Sequence, residues 1–178
     1  MNYEKMWDLV RGPLMDGLWS AMKEQVTKGK GIPCSYHVFY PSGKTTDIYV
    51  DDLLNKKEWK DQGLNKVKLM EIIRYYLKDT QPDFVVFISE GFTLHIEVKD
   101  MSEKEREEME NDIMQKYGSI EKTPGRGEII ICNATTKYGV QHCKTAQVIR
   151  DGENVRFEDI GSTDNWGGRM IMERWARD

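Results

Sequence analysis

The sequence predicts an α+β fold, a mainly antiparallel sheet with helices largely on one face. Three observations predict it. Two apolar runs rich in β-formers, Phe84-Val-Val-Phe-Ile88 and Glu128-Ile-Ile-Ile-Cys132, read as strands buried on both faces. Turn signals at Pro41-Ser-Gly-Lys44 and Asp151-Gly152 each separate two β-rich segments. Residues 2–28, 64–78 and 102–117 carry helical signals, either apolar side chains at spacings of three and four or a capping box.

The 178 residues suit one domain, 1–178, with residues 1–30 as an N-terminal helical segment packed on the core or appended to it. Charged residues at 31% and hydrophobic ones at 39% indicate a globular chain. A net charge of −4 argues against a general nucleic-acid coat and leaves room for a local basic groove. No apolar run reaches membrane-spanning length, and the opening residues lack the apolar stretch of a signal peptide. Three cysteines without framework spacing point to a reducing compartment, so the expected location is cytoplasmic.

In chain order, Met6, Leu9, Val10, Leu14, Leu18, Met22 and Val26 give the first helix an apolar face, enlarged by Trp7 and Trp19, and Gly12-Pro13 should kink or split it. That face packs on the sheet or meets a partner. Tyr36–Tyr40 and Thr45–Val50 form a hairpin. Its turn lacks the glycine spacing of a phosphate loop. Cys34, His37, Cys132, His142 and Cys143 are the only thiols and the nearest imidazoles for zinc, but closed-site spacing is missing and adjacent His142 and Cys143 would face opposite ways on a strand. Asp51-Asp52 reads as a turn or helix cap. Leu64, Val67, Met70, Ile73 and Leu77 stripe the clearest helix, ended by Asp79-Thr-Gln-Pro82. Ser102 and Glu105 form a capping box for a mostly charged helix. Residues 128–158 make a three-stranded meander, and the segment to Trp175 tucks Met170, Met172 and Trp175 onto the core.

Chemistry concentrates at Pro82-Asp83 and, after a gap of thirteen residues, Glu97-Val98-Lys99. Phe92 to Val98 alternates, with Glu97 and Lys99 on the polar face. A three-residue loop Ser89-Glu90-Gly91, with Gly91 left-handed, would fold 84–98 into a hairpin that sets Asp83 opposite Glu97. Such a pair holds Mg²⁺ or Mn²⁺, Glu71 adds a further ligand, and Lys99 stabilises phosphate charge or orients water. The pattern resembles the PD-(D/E)xK nucleases. That resemblance implies a divalent-metal nuclease with Asp83, Glu97 and Lys99 as catalytic residues, Glu71, Asp83 and Glu97 as metal ligands, and nucleic acid as substrate. Against it, the exposed acidic helix 102–117 would repel a nucleic-acid backbone if it faced that site.

Val86-Phe-Ile-Ser-Glu-Gly91, Pro124-Gly-Arg-Gly-Glu128, Gln147-Val-Ile-Arg-Asp-Gly152 and Gly167-Gly-Arg169 together resemble a family of small uncharacterised prokaryotic proteins, over about residues 84–170. The resemblance implies no assigned activity, with Pro124 shaping a loop and Arg126 as a surface anchor or a solvated charge. No nucleophile–base set or nucleotide loop stands out. The leading expectation is therefore a soluble intracellular module, non-catalytic and without cofactor. It would act through a protein partner or self-association, with no membrane. The metal nuclease is the alternative.

Overall fold

Asn2 starts the first helix by accepting a 3.1 Å hydrogen bond from the Glu4 N–H. In this computed structural model the chain is described over residues 2–94, 102–118, 122, 124–163 and 174–176. Helix α1 (Tyr3–Leu9) runs through a π turn (Val10–Leu14) into α2 (Met15–Thr27). Pro13, which has no N–H to give, lies inside the wide turn. The irregularity expected at Gly12-Pro13 therefore takes the form of a π turn in a continuous helix.

Among the described residues the sheet has six antiparallel strands in the order β2-β1-β3-β4-β5-β6. Strands β1 (Ser35–Phe39) and β2 (Thr45–Tyr49) form the expected hairpin, closed by Tyr40 N–H to Lys44 O at 3.0 Å with Gly43 at φ 81°. Two short helices follow, α3 (Val50–Asn55) and α4 (Lys57–Asp61), and Asp51 and Asp52 fall in the first turn of α3, where the helix dipole favours carboxylates. Helix α5 (Lys66–Thr80) is capped by Asn65 and ends at Gln81, held left-handed at φ 49°.

Strand β3 corrects the sequence reading. It runs unbroken from Phe84 to Leu94, with no turn at Ser89-Glu90-Gly91, and pairs along its whole length with β4 (Arg126–Thr136), from Phe84 opposite Thr136 to Leu94 opposite Arg126. Gly91 has no positive φ. A local turn signal loses here to eleven consecutive pairings with a distant strand. Strands β5 (Gln141–Asp151) and β6 (Asn154–Thr163) complete the expected meander, with Gly152 at φ 59° in the turn. Helix α6 (Glu103–Tyr117) has the expected capping box, Glu105 accepting from the Ser102 N–H at 2.7 Å and Ser102 Oγ accepting from the Glu105 N–H at 3.3 Å.

The alternation of β3 sorts the core into two layers. Phe84, Val86 and Ile88 join Ile130, Cys132, Ala146 and Val148 under Val10, Met15, Met22 and Val26 of the first helix. Trp7 stacks on Phe84 with ring centroids 5.7 Å apart. Val85 and Phe87 face the other way and meet Val50, Leu69, Met70, Ile73 and Leu77. The α+β class holds, and helices cover both faces of the central strands where the sequence suggested mainly one. Residues 2–27 pack on the sheet. Trp175 is 3% exposed in the second layer and donates Nε1–H to Pro82 O at 2.9 Å, as its predicted tuck requires. Met170 and Met172 lie outside the described residues. Among the described residues no helix is long and apolar enough to cross a membrane.

Candidate functional site

Beyond the end of α2 the first layer of the core gives way to charge. The chain leaves the helix through Gly29 at φ 70° and crosses the sheet as 29–32, anchored by Ile32, which is buried. There the face that carries Phe84, Val86 and Ile88 continues with Glu90 and Phe92. A cleft of about 640 Å³ opens between the loop and the strand ends, lined by Lys30, Asp51, Glu90, Phe92, Glu128 and Arg150 among others.

Three of its charged groups, Glu90, Glu128 and Arg150, are already committed. Glu90 Oε2 accepts from the Ile32 N–H at 3.0 Å. A Cβ added to Gly31 would lie 3.0 Å from Glu90 Oε1, so the glycine lets the loop close on the carboxylate. Glu128 takes Arg150 in a two-pronged bond, Nε to Oε2 at 2.8 Å and Nη2 to Oε1 at 2.6 Å. Hydrogen bonding to Glu128, reinforced by the Glu128 and Glu90 charges, raises the Arg150 pKa above its ordinary value. The Arg126 guanidinium sits 5.3 Å from the centroid of the half-exposed Phe92 ring, so Arg126 is an anchored charge. Ser89 and Cys34 line the cleft as well, and Ser89 Oγ donates to the Glu90 carbonyl at 2.7 Å.

Of the residues singled out from sequence, Asp83 and Glu71 are placed elsewhere. Asp83 lies at the opposite end of β3, where its carboxylate accepts from Lys137 Nζ at 2.7 Å and its N–H donates to Phe39 O at 2.9 Å. Lys137 Nζ also stands 5.6 Å from the Tyr3 ring centroid and 5.4 Å from that of Tyr138. Glu71 is exposed on α5, nine residues before the helix end at Thr80, roughly 14 Å along the axis. Ten extended steps separate Phe84 from Leu94 by roughly 33 Å. Glu97 and Lys99, three and five residues past Leu94, lie outside the described residues. The register that set Asp83 opposite Glu97 needed a turn at 89–91, and β3 has none.

The zinc candidates separate as well. His37 Nδ1 is 2.8 Å from Asp47 Oδ1. Cys34 belongs to the layer on the other side, and Cys132 and Cys143 are buried on opposite faces of their strands. Among the described residues no three His, Cys, Asp or Glu side chains converge as metal ligands. Comparison with protein-family models, with curated proteins and with solved structures finds no match.

Sequence reasoning missed the cleft because its parts come from five elements. One signal was present: Glu90 and Phe92 continue the even-numbered face of β3, which only an unbroken strand delivers.

Proposed function

We propose that this chain is a non-catalytic cytoplasmic module that acts through protein contacts, and that the cleft beside Glu90, Glu128 and Arg150 receives the partner. The observation that carries this reading is the prior commitment of Glu90, Glu128 and Arg150. The Glu90 and Glu128 carboxylates are held as hydrogen-bond acceptors, the first by a backbone N–H and the second by a guanidinium. Groups fixed in advance lose little freedom on docking and set which charged partner fits. The half-exposed Phe92, with Arg126 over it, adds an aromatic contact of the kind enriched at protein interfaces. The buried thiols Cys34, Cys132 and Cys143 suit a reducing compartment.

The test is affinity capture from a lysate of the encoding organism, with wild type beside Arg150→Glu and Glu90→Lys. The expected result is a protein retained by wild type, lost by both variants, and binding wild type again once purified. Identical capture by all three would sink the proposal.

A further inference from the structure

A different part of the sheet carries a second inference. Among the described residues, strand β6 is an outer strand of the six, pairing on one side with β5. Its regular stretch is Asn154–Asp159, because the pairing slips where Ala146 meets Asp159 and Thr145 meets Gly161, leaving Ile160 as an extra residue. Val155 and Phe157 turn toward the first core layer. Arg156 and Glu158 turn to the opposite face, are exposed, and form an ion pair two residues apart. Alternate residues of an outer strand direct their N–H and C=O groups away from the sheet, where another strand can take them.

We propose that β6 pairs with the β6 of a second copy of this chain, antiparallel and centred on Phe157. The pleat dictates that residues directly opposite share a face, so the two-fold axis must pass through a residue of the strand. Centred on Arg156, the pairing sets Arg156 against its own copy. Centred on Glu158, it sets Glu158 against its own copy. Centred on Phe157, it sets Arg156 opposite the partner's Glu158 twice and Phe157 opposite the partner's Phe157. Of the three central registers, this one alone converts the strand's charges from repulsion to attraction. The ion pair within each strand is exchanged for two between strands, and the two sheets become one of twelve strands. Five residues a side, 155–159, make a small interface, so the dimer is a weak, concentration-dependent one. The competing reading is that the charges and the irregularity at Ile160 guard the edge against association.

Sedimentation equilibrium over a concentration series decides between them. Wild type should dimerise. Arg156→Glu alone places Glu opposite Glu, and Glu158→Arg alone places Arg opposite Arg, so each should dimerise roughly tenfold more weakly or not at all. An equimolar mixture of the two variants should restore the dimer, because both cross-strand pairs are then opposite in sign. That recovery also shows that both variants fold. A wild type that stays monomeric at every concentration overturns the proposal. So does a dimer indifferent to both substitutions, or a mixture that fails to associate. None of these outcomes bears on the cleft, which captures its partner independently of β6.

Discussion

Lys137 Nζ donates to Asp83 Oδ1 at 2.7 Å, with the two side chains only 21% and 15% exposed. The pair joins the start of β3 to the turn between β4 and β5, and the Lys137 carbonyl accepts from the N–H groups of Trp175 and Ala176 at 3.1 and 2.9 Å. Asp83→Asn should therefore lower stability by about 2 kcal/mol, the size of a hydrogen bond to a charged group. Urea unfolding measures it. A loss below a few tenths would mean that the pair is no more than a surface contact.

The same pair sets an alkaline limit. Its hydrogen bond to Asp83 raises the Lys137 pKa, with desolvation opposing. A raised lysine stabilises the fold fully below its unfolded value of about 10.4 and loses that contribution as pH climbs through the higher folded value. Wild type should lose stability above about pH 10.4 more steeply than Lys137→Met, and the two curves should run parallel between pH 6 and 9. Curves parallel to pH 12 would refute the assignment.

Gly31→Ala should push the Glu90 carboxylate off the Ile32 N–H and cost about 1 kcal/mol. In a Glu90→Ala background the same substitution should be neutral or slightly stabilising, since alanine restricts the unfolded chain. The double-mutant cycle reads the difference. Additive effects would show that loop and carboxylate act independently.

Much of the fold was legible because its turns are locally encoded. Gly43 and Gly152 each adopt the positive φ that their hairpins require, and Ser102 with Glu105 caps α6. Glu90-Gly91 carries a comparable local signal and is overruled, since β4 supplies partners to residues on both sides of it. A neighbour separated by dozens of residues leaves no mark on local spacing. The cleft was hidden for the same reason: Ile32 and Glu90 are 58 residues apart, and Glu128 and Arg150 are 22 apart.

Arg150→Ala should separate binding from stability. Its side chain is 43% exposed, so breaking the bond to Glu128 should cost under about 1 kcal/mol. Partner capture should fall while the melting curve hardly moves. A large loss of stability would assign the pair to the fold.

Burial pushes the Cys132 thiol up to about 12 and also raises that of Cys143. In a Cys34→Ser background, Ellman's reagent at pH 8 should find no reactive thiol in the native protein and two once it is unfolded. Native reactivity at either position would contradict their burial.

The π turn at Val10–Leu14 acts as a phase adjuster. Each residue of a helix turns the chain by about 100°. A π turn takes in one residue more than an α turn over nearly the same rotation, so removing one would restore a regular helix with its halves still in phase, whereas adding one to a regular stretch there would rotate everything before it by that angle. Met22 and Val26 would keep their seats on the sheet, while Tyr3 and Trp7 would swing off Phe84. The wide turn thus absorbs one residue, and both halves of the helix keep their seats on the sheet.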